Sequence, residues 1–105
     1  MVLNLFICFS SFVYSQCNER CESGNCTNGF GVYTFKSCER YEGNWSNDMR
    51  SGYGTNNFKN GEKYVGDWQY DKRNGYGANY YTNGTSKTGY WKDDIYQGTE
   101  NAYSR

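Results

Sequence analysis

Polar and apolar residues alternate through RYEGNW and KYVGDW. In Tyr41-x-Gly43-x-Trp45, and again in Tyr64-x-Gly66-x-Trp68, the named residues stand two apart and share one face of an extended strand. The residues between them share the other face. GYGTNNF and GYGANYY read as further extended, Tyr/Phe-rich runs. Asn60-Gly61 and Asn83-Gly84 follow these runs. Asn-Gly is the strongest short-range hairpin signal, because a type I′ turn needs φ > 0 at both central residues. Strands are predicted near residues 30–36, 39–46, 53–59, 62–69, 76–82 and 86–92, with hairpin turns at the two Asn-Gly pairs.

The pattern repeats. YEGNWSNDMRSGYG begins at Tyr41 and YVGDWQYDKRNGYG at Tyr64, an offset of 23. At that offset Gly29 aligns with Gly52, Gly75 and Gly98, and Gly31 with Gly54 and Gly77. Gly43 aligns with Gly66 and Gly89, Trp45 with Trp68 and Trp91, and Phe35 with Phe58 and Tyr81. Internal periods of this size mark repeat architectures. Glycine inside a strand lowers stability, so its recurrence needs a reason. A bare glycine lets an aromatic ring from a neighbouring position lie across it. Tyr and Trp bury large areas and here take the place of scarce aliphatic residues.

These residues carry a resemblance. YEGNW…GYG…NG and YVGDW…GYG…NG resemble MORN repeats, and the likeness runs from about Asn28 to Gly98. The resemblance implies an all-β fold: an elongated, curved, single-layer antiparallel sheet of stacked β-hairpins. It also implies scaffolding, protein contact or membrane-lipid association, and not catalysis. The expected repeat-defining positions are Tyr41, Gly43, Trp45, Gly52, Gly54, Tyr64, Gly66, Trp68, Gly75, Gly77, Gly89, Trp91 and Gly98. The chain departs from the family pattern in three ways. Asp48, Asp71 and Asp94 stand where the loop usually has Gly, Lys87 replaces the Tyr of the third copy, and Cys38 replaces the turn Gly of the first.

Three segments are expected: a signal peptide over 1–16, a cysteine-rich cap over 17–28, and a repeat array over 29–105 with one partial, two full and one partial copy. MVLNLFICFSSFVYSQ is apolar and uncharged, and shorter than the ~20 residues that span a bilayer. It points to a secreted or periplasmic, cell-envelope protein. Cys8 falls inside that leader, and Cys17, Cys21, Cys26 and Cys38 remain. In an exported domain four cysteines suggest two disulfides with three possible pairings. A zinc site is the rival, but the spacings fit no common zinc pattern. The Asp48, Asp71 and Asp94 column could be read as a calcium ladder. Turn chemistry is the stronger reading, because Asp tolerates a left-handed backbone.

Composition narrows the function. Lys+Arg and Asp+Glu are both 11, so the formal net charge is zero and nucleic acid is not an expected partner. The chain has no His, the usual general base. No nucleophile–base pair or phosphate loop is visible, so no catalytic, metal-binding or cofactor-binding residue is assigned. The expected function is a non-catalytic exported module for protein–protein interaction or scaffolding. Tyr53, Tyr76, Tyr70 and Tyr96, set off the Gly/Trp face, are candidate partner contacts with Arg50 and Arg73. Two alternatives are kept. Aromatic faces can stack on a cell-envelope glycan, and Arg50, Lys72, Arg73, Arg40, Lys63 and Lys59 could meet an anionic phospholipid.

Overall fold

The computed structural model describes residues 16–100. The expected leader lies, apart from Gln16, outside them. Eight strands run in chain order: β1 (Arg20–Gly24), β2 (Gly29–Thr34), β3 (Arg40–Ser46), β4 (Met49–Asn57), β5 (Lys63–Gln69), β6 (Lys72–Tyr80), β7 (Ser86–Lys92) and β8 (Ile95–Gly98). They form one open antiparallel sheet in which each strand pairs with its neighbour in sequence. This is the single-layer, all-β architecture that the repeat implies.

A single layer must build its core on one face. That face carries the buried Tyr41, Trp45, Tyr64, Trp68 and Trp91. The rings form an unbroken edge-to-face zigzag. Centroid distances are 5.0 Å for Tyr41–Trp45, 5.4 Å for Tyr41–Trp68, 5.2 Å for Tyr64–Trp68 and 5.5 Å for Tyr64–Trp91. Such pairs contribute ~0.5–1.5 kcal/mol each beyond area burial. Each tyrosine therefore joins the tryptophan of its own repeat to that of the next.

The glycines make this possible. Gly31, Gly43, Gly54, Gly66, Gly77 and Gly89 face one another across successive strands. A Cβ on Gly54 would overlap Oη and Cζ of Tyr41 and come within 2.6 Å of Cε1; Gly77 stands in the same relation to Tyr64. The polar ends of the buried rings find main-chain carbonyls. Tyr41 Oη donates to Asn44 O and Tyr64 Oη to Asp67 O, both at 3.1 Å. The indoles of Trp45, Trp68 and Trp91 donate to Gly31 O, Gly54 O and Gly77 O at 3.1, 3.2 and 3.0 Å.

The turns differ from expectation. Asn60-Gly61 is not a type I′ turn, because only Gly61 has positive φ (99°). Phe58 O accepts from Gly61 N–H and Glu62 O from Phe58 N–H, which makes a three-residue loop ending in a left-handed residue. Tyr81–Thr85 repeats that pattern, and so does Phe35–Glu39, with Cys38 (φ 79°) in the glycine's place. The two-residue turns with positive φ at both positions are instead Asn47-Asp48, Tyr70-Asp71 and Asp93-Asp94. What reads in sequence as a polar loop is thus a tight reversal. β4 and β6 accordingly start at Met49 and Lys72, earlier than 53 and 76.

The ends add two strands that the repeat pattern did not predict. β1 lies within the cysteine-rich segment, and β8 extends the sheet past Trp91. Disulfides join Cys17 to Cys38 and Cys21 to Cys26. The first closes a span of 21 residues and fastens the segment before β1 to the left-handed corner of the β2–β3 loop. Loop closure of that size is worth about 3 kcal/mol in the chain-entropy description. Two disulfides fit an oxidising or extracellular compartment.

Gly66→Val tests the glycine lane. A Cβ there would overlap Gly77 Cα and sit 2.6 Å from Tyr76 O and 2.8 Å from Tyr64 Oη. The expected loss is roughly 3 kcal/mol or more, a fall in Tm of over 10 °C for a domain of this size. Gly84→Asn is the control, since nothing lies within 4 Å of its Cβ position and Asn tolerates a left-handed backbone. Equal melting temperatures for the two variants would contradict the packing.

Candidate functional site

The aromatic face also holds two arginines in identical settings. Arg50 N–H and Nε–H both donate to Asp71 Oδ1, at 3.1 and 2.7 Å, and Nη2 donates to Asp71 O at 3.2 Å. Its Nη1 reaches Oδ1 of the fully buried Asn56 at 3.0 Å. The guanidinium carbon stands 4.5 Å from the centroid of the Trp68 ring. Arg73 copies each contact one repeat later, with Asp94, Asn79 and Trp91; its Nε–Oδ1 distance is 2.9 Å and its Trp91 centroid distance 4.6 Å. The candidate contacts Arg50 and Arg73 are therefore engaged within the sheet. Tyr96, expected off the Gly/Trp face, packs on it: its ring lies 5.1 Å from that of Trp91.

The carboxylates of the Asp column have the same inward use. Burial alone would raise the pKa of Asp71. Hydrogen bonds from the Arg50 side chain and backbone, together with its positive charge, outweigh that and hold the carboxyl below its ordinary 3.8. Asp48 Oδ1 accepts from Thr27 Oγ1 at 3.0 Å. No group of three or more His, Cys, Asp or Glu among the described residues could hold a metal ion. Burial also pushes the Tyr41 and Tyr64 phenols well above their ordinary 10.0.

The family model described as MORN repeat matches residues 27–37, 41–63 and 64–86, more than half of the chain. The chain belongs to the MORN-repeat family. No curated protein matches it. MORN repeats are in general non-catalytic modules for protein or membrane-lipid interaction. In this MORN sheet the family's Tyr, Gly and Trp columns are the ring-on-glycine core, so they are spent on packing.

What the MORN sheet offers to a partner lies elsewhere. Tyr53 and Tyr76 are exposed at 60% and 51%, on the face opposite the tryptophans. Phe30, which sequence reasoning passed over, belongs to the same column and is 56% exposed. The signal for it was GFG at the 23-residue offset from GYG. Two strands separate each pair of these rings, so they recur about every 10 Å. Asn44 and Asp67 alternate with them, opposite Phe30 and Tyr53 respectively. Tyr70, at 70% the most exposed large apolar residue, stands on the two-residue-turn edge. It lines a shallow hollow with Ser46, Asn47, Met49, Ser51 and Gln69.

The Arg50–Asp71 pair makes stability depend on acid. The folded pKa of Asp71 lies below its unfolded value of about 3.9. The pair's contribution is therefore complete above about pH 4 and is lost as pH falls through the folded value. With the Asp71 side chain 45% exposed, solvent screening limits the contribution to about 1 kcal/mol. Denaturant unfolding of Asp71→Asn should show about that deficit at pH 7, and the difference from the parent chain should close near pH 2. The same deficit at both pH values would show that the charge is not the cause.

Proposed function

We propose that the chain is an exported, non-catalytic MORN scaffold that binds another protein through its two-residue-turn edge. Tyr70 carries this reading. It occupies a left-handed position (φ 50°) that Asn47 and Asp93 fill in the other copies. A bulky residue is costly there, and strained positions are kept where they serve a function. Its ring points to solvent beside Met49, with Ile95 also exposed (65%) at the start of β8. Tyr is enriched among the residues that dominate binding energy. The apolar leader and the two disulfides support export to a secreted, periplasmic or cell-envelope location, and zero net charge disfavours nucleic acid.

The row of Phe30, Tyr53 and Tyr76 supports a second reading, stacking on an extended glycan. The lipid reading has less behind it. Arg50 and Arg73 are ion-paired, Arg40 lies between Glu22 and Glu42 at 3.5 and 3.8 Å, and Lys63 lies over the Tyr80 ring. The test is a pull-down with the oxidised chain as bait, beside glycan and phosphoinositide arrays. Tyr70→Asn restores a residue suited to the turn, so folding is kept while protein capture falls about ten-fold or more. Undiminished capture would remove the turn edge, and saturable glycan binding lost in Tyr53→Ala would replace the reading with the second.

A further inference from the structure

The arginine network is incomplete at one end of the sheet. In the column of Arg50 and Arg73 the preceding position is Thr27, 23 residues before Arg50. Its repeat still has the tryptophan, Trp45, and the turn carboxylate, Asp48. Thr27 offers Asp48 a hydroxyl in place of a guanidinium. Around this position is a hollow of about 240 Å³ lined by Glu19, Cys26, Tyr33, Phe35, Trp45 and Asp48. Three aromatic rings and two carboxylates line it, and no side chain in it is cationic. Glu19 Oε2 accepts from Tyr33 Oη at 2.7 Å, so one carboxylate is already turned toward the rings. No ion pair involving Glu19 or Asp48 occurs among the described residues, and residues 1–15 contain no Lys or Arg.

We propose that this hollow receives an arginine side chain from the protein partner, which takes the place that Arg50 and Arg73 fill in the following repeats. The proposal rests on the protein-binding reading and names the chemistry of the partner: a segment with an exposed arginine. The chain itself supplies the template. Twice it places a guanidinium over a repeat tryptophan and against the turn aspartate. Phe35 serves both settings, since the Arg50 guanidinium carbon is also 5.4 Å from its ring centroid. Charge complementarity favours a cation: two carboxylates beside aromatic faces attract a guanidinium both as counter-ions and through the ring quadrupoles. Arginine suits the site better than lysine, because its planar fork can stack on a ring and donate to a carboxylate together.

The test uses the oxidised chain and three tripeptides, Gly-Arg-Gly, Gly-Lys-Gly and Gly-citrulline-Gly. The Trp45 indole N–H resonance is followed by NMR. Gly-Arg-Gly should shift it saturably, Gly-Lys-Gly more weakly, and the uncharged citrulline peptide not at all. Glu19→Gln with Asp48→Asn should weaken Gly-Arg-Gly about ten-fold or more. Thr27→Arg supplies the missing side chain from within, so it should raise Tm and abolish the response while the chain stays folded. No response to Gly-Arg-Gly, or an equal response to the citrulline peptide, would overturn the proposal. The partner captured by pull-down should be lost in Thr27→Arg. Capture unaffected by Thr27→Arg would sink this inference and leave the turn-edge reading standing. A saturable Gly-Arg-Gly response without any protein capture would uphold the site's chemistry and sink the protein-binding reading instead.

Discussion

A tyrosine ring lying across a pair of facing glycines is the contact on which the sheet depends. Tyr41 crosses Gly43 and Gly54, and Tyr64 crosses Gly66 and Gly77, closely enough that a methyl on any of the four would overlap a neighbour. Only there can a phenol lie low enough to donate to the carbonyl three residues on. With the ring held low, its edge and face meet two tryptophans, one from each adjacent repeat. A thin sheet with few aliphatic residues thereby gains a continuous one-sided core. Its stability is a sum of repeat and neighbour terms.

The charged network is built on that core. Each tryptophan face not covered by tyrosine takes an arginine, and each arginine reaches the aspartate of the next two-residue turn. The aspartate serves twice. It accepts the left-handed backbone that the turn requires, and it neutralises the guanidinium. The network stops where the columns stop: Tyr96 replaces arginine over Trp91, and Thr27 replaces it near Trp45. The two ends of the array are therefore chemically different, one closed by an aromatic ring and the other left as an acidic, ring-lined hollow.

Much of the fold was legible in the sequence because its cause is periodic. Tyr41-x-Gly43-x-Trp45 states which face is buried, and the 23-residue offset states which residues meet. The turns were less legible. Asn60-Gly61 looks like the tighter turn, yet the preceding residue, Lys59, joins the loop, and the positive-φ pairs sit at Asn47-Asp48, Tyr70-Asp71 and Asp93-Asp94. Tyr70 gives no turn signal at all. The inward use of Arg50 and Arg73 was hidden because arginine on an alternating strand reads as solvated. It becomes visible only when Asp71 and Asp94 arrive from 21 residues away. β1 had no repeat column to announce it, and its place comes from pairing with β2 under the Cys21–Cys26 disulfide.

The ring-on-glycine contact is tested most directly by a double-mutant cycle on Gly77 and Tyr64. Tyr64→Leu removes the Oη, Cζ and Cε1 atoms that a Cβ at position 77 would strike. Gly77→Ala should be strongly destabilising in the parent chain and far milder beside Tyr64→Leu, with a coupling of about 1–3 kcal/mol by denaturant unfolding. Losses that add to within about 0.5 kcal/mol would show that the glycine is not there to make room for the ring.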